Sequence, residues 1–355
     1  MKSFITPHWN KYLTLFQPKD TDIYYKEEYV YLYTTHSEQP MCLVVEENDK
    51  YMLFPFLKRE FIFHDKKYSD FETPYGYGGP IFNTNDEIFK QKGIKCLYDT
   101  FVENNYIAGF IRFHPLLNNY KYFDEIGQII FDRKTIAINL SLSEEEIWSN
   151  EIHTKNRNII KKGIKNGLQF IVDNNYNYYN QFIDLYNSTM DKLQADKFYY
   201  FPEKYYLQLK ENIKNSFLGI VKKDDNILSA AIFFYNGPYG HYHLSGSNKK
   251  YLSLSPNNFM LYEAAKELKR RGALLFHLGG GTSADEHDSL FCFKSRFSKS
   301  MYQFTLGKLI FNQDKYSDLC TEWELKNPEK ENKYQNFLLK YKYGCIHNCR
   351  SWCKS

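Results

Sequence analysis

Apolar and polar positions alternate in short runs over the first third of the chain, and longer helical periods separate those runs. Val30-Tyr31-Leu32-Tyr33 reads as a strand. Cys42-Leu43-Val44-Val45-Glu46-Glu47 and Tyr51-Met52-Leu53-Phe54-Pro55-Phe56 flank the polar turn Asn48-Asp49-Lys50, which is a hairpin signal. A turn-rich stretch, Thr73-Pro74-Tyr75-Gly76-Tyr77-Gly78-Gly79-Pro80, precedes a helix with apolar positions at helical spacing from about Asp86 to Asn104. The strand Tyr106 to Phe113 follows, so the order is strands, helix, strand.

The cycle then repeats. Ile136 to Leu140 alternates as a strand, and Ser143-Glu144-Glu145-Glu146 has the form of a helix start with a serine cap. A basic helix, the strand Leu168 to Val172 and a helix from about Tyr178 to Leu193 come next. Phe217 to Val221, Ile227 to Tyr235 and Tyr239 to Ser245 form a meander. A helix from Pro256 to about Arg271 stops at Gly272, which suits a left-handed cap, and strand Leu274 to Leu278 follows. The pattern predicts an α/β (α+β) chain of two like halves with mixed sheets flanked by helices: residues 1–134, residues 135–312, and a charged, helical tail over 313–355 packing on the second half.

Length supports two domains, since 355 residues exceed the usual single compact unit. A hydrophobic share of 43% against 25% charged suits a globular core. The net charge of +4 demands no nucleic acid. The aromatic share of 18%, mostly Tyr and Phe, suits half-buried strands and pocket linings. No run of about 18 apolar residues is present, and Met1 to Pro7 is not followed by a signal-peptide core, so a cytoplasmic protein is expected. Cys345, Cys349 and Cys353 share a four-residue spacing, but with only His347 beside them they make a poor zinc pattern, and no metal is expected.

Several residues carry candidate chemistry. Gly279-Gly280-Gly281-Thr282 follows a strand directly, where glycine amides could cradle a phosphate or an oxyanion; the alternative is a plain loop. In Phe291-Cys292-Phe293-Lys294-Ser295-Arg296-Phe297, strand alternation would send the phenylalanines inward and Lys294 and Arg296 to the opposite side. His241, His243, His277 and Asp285 are candidates for the base that neutralises an attacking amine, and His241 and His243 share a strand face. Lys155, Arg157, Lys161, Lys162 and Lys165 place cations at helical spacing, as a phosphate-binding or a solvated face. Arg112, inside an apolar strand, must find an anionic or carbonyl partner.

Four segments together resemble one family. They are Glu72 to Pro80, Ile111-Arg112-Phe113-His114-Pro115-Leu116-Leu117, the basic helix His153 to Gly163, and His277-Leu278-Gly279-Gly280-Gly281 followed by Ser289 to Ser298. Their order and spacing over residues 20 to 310 are similar to the Fem-type peptidyltransferases and the related FemAB-like, GNAT-like N-acyltransferases.

The resemblance implies two tandem GNAT-like domains, with the donor cleft in the second. It implies transfer of an acyl group from acyl-CoA to an amine of an amino sugar or cell-surface glycan precursor. Fem enzymes proper use aminoacyl-tRNA and a lipid-linked precursor, which makes aminoacyl-tRNA the alternative donor; a glycan-binding protein without catalysis is the third reading. Partners are then a small-molecule or lipid-linked glycan, tRNA in the alternative, and peripheral contact with a membrane. The resemblance makes Lys294 a functional residue on the donor side, and His243 and Asp285 complete the catalytic candidates as bases at strand ends. Gly279, Gly280, Gly281, Thr282 and Arg296 fall on the donor side, and Tyr75, Tyr77, Arg112, His114 and Arg157 on the acceptor side.

Overall fold

The computed structural model describes residues 1–344, so Cys345, Cys349 and Cys353 lie outside the described residues. In chain order the elements are β1 (Lys2–Thr6), α1 (Asn10–Leu13), α2 (Glu27–Leu32), β2 (Glu38–Glu47), β3 (Lys50–Phe63), β4 (Lys66–Glu72), β5 (Ile81–Phe82), α3 (Glu87–Glu103) and β6 (Tyr106–Arg112). They continue with β7 (Gln128–Asn139), α4 (Glu144–Glu146), α5 (Thr154–Lys165), β8 (Gln169–Asp173), α6 (Tyr179–Lys192), α7 (Glu203–Asn212), β9 (Ser216–Lys223), β10 (Asn226–Asn236) and β11 (Tyr239–Ser247). Last come α8 (Pro256–Arg270), β12 (Leu275–Gly280), α9 (Ser289–Ser295), β13 (Met301–Ile310), α10 (Gln313–Lys326) and α11 (Glu331–Tyr334).

The chain forms two compact units, one of residues 1–20, 24–132 and 304 onward, the other of residues 21–23 and 133–303. In the first unit β2, β3 and β4 make an antiparallel meander, α3 crosses over, and β6 returns parallel to β4. Asp86 caps α3, accepting the N–H groups of Ile88 and Phe89. Phe54, Phe56, Phe71, Phe101 and Tyr106 fill the core between helix and sheet.

The same order recurs in the second unit. The meander is β9, β10 and β11, the crossover is α8, and β12 lies parallel to β11 and antiparallel to β7. Here aliphatic side chains share the core with phenylalanines, as Ile136, Ile138, Phe233, Met260, Leu261 and Phe276 show. The predicted box before α4 is present: Ser143 accepts from Glu146 N–H, and the Glu146 carboxylate accepts from Ser143 N–H. Gly272 takes φ +90°, the left-handed cap expected after α8.

Three expectations are corrected. Residues 30–33 belong to α2, not to a strand, because Glu27 and Glu28 open a helical turn and Tyr29, Val30 and Leu32 pack inward. The 313–344 tail packs on the first unit, where Leu319, Cys320, Trp323, Leu338 and Tyr341 join Phe63, Ile107 and Ala108. The Phe291–Phe297 segment, read with strand alternation, instead lies in and just after helix α9. No helix among the described residues is long and apolar enough to cross a membrane.

Candidate active site

The second unit has an asymmetry at its parallel strand pair. β11 and β12 are in register at Tyr239 with Leu275, Gly240 with Phe276 and His241 with His277, and there the register ends. β11 runs on through Ser247 along β10, with a bulge at His243. β12 runs on through Gly280 along β7, with a bulge at Leu278. The two strands therefore form a fork whose closed end is the His241–His277 pair.

Lys294 belongs to this fork. It lies on α9, where Phe291, Lys294 and Phe297 are the buried positions at three-residue spacing, while Arg296 is exposed. The helical period thus replaces the strand alternation and turns the lysine inward. Its Nζ donates to the Gly280 carbonyl at 2.7 Å and sits 6.0 Å from the centre of the Tyr242 ring. Burial and the nearby Arg133 lower its pKa to about 7, opposed by the attraction of Asp288.

The glycine run ends β12 and is engaged from within. Asp288 caps α9 by accepting the N–H groups of Leu290 and Phe291 at 2.9 Å each, and it also accepts from the N–H and hydroxyl of Thr282. Of the Gly279–Thr282 run expected to receive a donor phosphate, the Thr282 N–H thus bonds the protein's own carboxylate. Arg133 Nη1 donates to Gly281 O at 3.0 Å, so two cations face the carbonyls of the run.

The histidines separate by partner. His241 Nε2 is 2.7 Å from the Asp22 carboxylate, and both side chains are buried, with exposures of 1% and 0%. Its ring meets that of His277 edge-on, with centroids 5.7 Å apart. His277 Nε2 donates to Thr135 Oγ1 at 2.9 Å, because that hydroxyl gives its own proton to Tyr302 O. His243 takes a different partner, the Tyr205 hydroxyl at 2.7 Å, and burial with the nearby His241 pushes its pKa down to about 3. Asp285 lies in an exposed turn, where its carboxylate accepts the His287 N–H. The carboxylates of this site are therefore Asp22 and Asp288. Asp288 carried a local signal, an aspartate just before a helix; Asp22, 219 positions from its partner, carried none.

Arg157 is occupied as well. Its guanidinium donates to Ser149 O at 2.8 Å and Ile152 O at 2.7 Å, closing the turn before α5. Lys155, Lys161, Lys162 and Lys165 are exposed.

In the first unit, Tyr75, Tyr77, Arg112 and His114 gather around the Thr73–Pro80 loop. Tyr77 meets His114 edge-on at 5.5 Å, and Tyr29 Oη donates to Tyr75 O at 2.8 Å. His114 is buried, and its Nδ1 accepts the Leu117 N–H at 3.3 Å. Arg112 finds the partners its strand demanded: Glu72 at 3.1 Å and Thr73 O at 2.6 Å. Gly79 has φ +88°, and a Cβ there would come within 2.7 Å of Phe113, so the loop requires glycine.

Residues 154–287, which span β11, α8 and β12, match the Acetyltransferase (GNAT) domain family. No curated protein matches the chain in sequence. Among solved structures, FemX superposes with a TM-score of 0.67 at 16% identity, over 89% of this chain and 99% of its own. The C-terminal domain of a putative lysylphosphatidylglycerol synthetase from Agrobacterium fabrum gives 0.52 at 13% identity, over 86% and 93%. L-PGS from Bacillus licheniformis gives 0.51 at 12% identity, over 78% and 85%.

Proposed function

We propose that this chain, whose residues 154–287 match the Acetyltransferase (GNAT) domain family and which shares its fold with FemX, is a FemAB-like acyltransferase that moves an acyl group from acyl-CoA to the amine of an amino sugar or cell-surface glycan precursor. The observation that carries this reading is the fork: a parallel pair that stops at His241 and His277 with Lys294 buried beside its far rim. The amide arm of a pantetheine thioester suits the edge of a strand, because it can continue the ladder that β12 leaves. Thr282 is engaged with Asp288, and exposed Lys249 and Lys250, between β11 and α8, are the cations we assign to the donor phosphates.

The reaction needs the amine to attack the thioester carbonyl as a neutral base, forming the C–N bond, breaking the C–S bond and passing one proton from nitrogen to the departing thiolate. Lys294, with a pKa near neutrality, suits the second half of that traffic: its protonated form stabilises the oxyanion and donates to sulfur. The Asp22–His241 pair at the closed end of the fork is the better candidate to take up the amine proton, since His243 is held neutral against Tyr205.

A second reading keeps the site and changes the donor to aminoacyl-tRNA. The fold likeness to FemX and to lysylphosphatidylglycerol synthetases favours it. Thermal shift separates the two, because a ligand that binds only the folded state raises the melting temperature. CoA and acetyl-CoA should shift the wild type and not Lys294→Ala; no shift with any CoA would move the assignment to the aminoacyl donor.

A further inference from the structure

A cluster of charged side chains in the first unit lies outside the fork and brings the end of the described chain onto the Thr73–Pro80 loop. Lys342 Nζ donates to Glu38 Oε1 at 2.5 Å and also to Glu72 Oε1. The other oxygen of Glu72 accepts from Arg112 Nη2 at 3.1 Å. Arg112 in turn fixes the loop at both ends: Nη1 donates to Thr73 O at 2.6 Å, its N–H to Thr73 Oγ1 at 2.9 Å, and its carbonyl accepts the Gly78 N–H at 2.7 Å. Two carboxylates and two cations thus balance in a half-buried site, and burial, which alone would raise Glu72, is overcome by Lys342 and Arg112, which hold it at about 2.

We infer that Lys342 is a positioning residue for the acceptor loop, acting through Glu72 and Arg112. Each oxygen of Glu72 serves one cation. Without Lys342, the freed oxygen draws Arg112 into a two-bond fork with the carboxylate, the preferred geometry of that pair, and the Arg112–Thr73 bond is given up. The loop then loses its hinge while its tyrosines remain unaltered. This inference rests on the acceptor-side role that the family resemblance implies for Tyr75 and Tyr77.

Hydrogen exchange on the full chain tests it without any ligand. In Lys342→Met, peptides spanning residues 73–80 should exchange about tenfold faster, with β11, α8 and β12 unchanged, and Lys342→Arg should restore protection. Unchanged exchange at 73–80 overturns the inference. Should Lys342→Met fail to fold, Glu72→Gln removes the charge both cations share and must loosen the same peptides; if it does not, the inference is equally overturned.

Kinetics with acetyl-CoA and glucosamine as probes supply the functional arm: KM for glucosamine should rise about tenfold in Lys342→Met while KM for acetyl-CoA holds. Tyr77→Ala separates the two layers. If it raises the glucosamine KM and Lys342→Met does not, the positioning role is wrong and the acceptor assignment stands. If neither does, the acceptor assignment falls and takes the positioning role with it.

Discussion

Lys294 donates to the Gly280 carbonyl at 2.7 Å, so a residue of α9 is tied to the last residue of β12. Its burial, which lowers the pKa from the ordinary 10.5 to about 7, has a consequence for stability. Between those two values the unfolded chain holds a proton that the folded chain has released, so folding becomes more favourable as pH rises from about 7 toward 10.5. Urea unfolding of the wild type and Lys294→Met over that window should show the wild type gaining on the variant, by up to about 1.4 kcal/mol per pH unit. Parallel curves would mean that the lysine stays charged in the folded protein.

The same lysine should matter to turnover more than to binding. Lys294→Met is expected to lower kcat by about 10²-fold or more, the usual scale for removing one oxyanion donor. Initial rates with acyl-CoA check this, and a loss confined to KM would assign Lys294 to donor binding alone.

Asp288 joins the glycine run to α9. Asp288→Ala removes the acceptor for Leu290, Phe291 and Thr282 together, and should cost about 1–2 kcal/mol, the upper range for a cap. The carboxyl titrates below its ordinary range despite a burial term that raises it, because Thr282, Phe291 and Leu290 donate to it. This contribution is therefore full above the unfolded carboxylate pKa and is lost as pH falls through the lower folded value. Thermal melts of the two proteins should converge toward acid pH.

The Asp22–His241 pair offers a coupling test. Breaking a buried pair by removing one partner leaves the other uncompensated, at a cost of about 3–5 kcal/mol. Asp22→Asn and His241→Gln should each destabilise strongly, and the double variant should fall well short of their sum in chemical denaturation. Full additivity would show that the two side chains do not interact.

A close approach in the second unit predicts intolerance at one glycine. A Cβ on Gly246 would run into the backbone of Leu185 and Tyr186 in α6, which cannot yield as a side chain tip would. Gly246→Ala should lower stability by about 2 kcal/mol or more, seen as a drop in melting temperature, because helix and strand must separate.

Much of this architecture was legible locally. Asp86, the Ser143 and Glu146 box and Gly272 each mark a helix end with a residue whose side chain or φ suits the position, and all occur where expected. The segment from Phe291 to Phe297 misled because apolar residues at 291, 293 and 297 fit a strand, whereas the helix that the Asp288 cap starts buries 291, 294 and 297. Arg112 announced its need for a partner but not which one. Pairings such as Asp22 with His241 and Lys342 with Glu72 span most of the chain, and no local pattern encodes them.

The two copies of the meander, helix and strand differ at one point. In the second unit the parallel pair stops at His241 and His277. In the first, the equivalent pair carries on past Glu72, as Thr73 N–H bonds to Phe110 O and Gly78 N–H to Arg112 O. A thioester arm entering there would have to break those bonds before it made its own. Duplication has therefore left one port open and stitched the other shut, and calorimetric titration should return a stoichiometry of a single donor per chain.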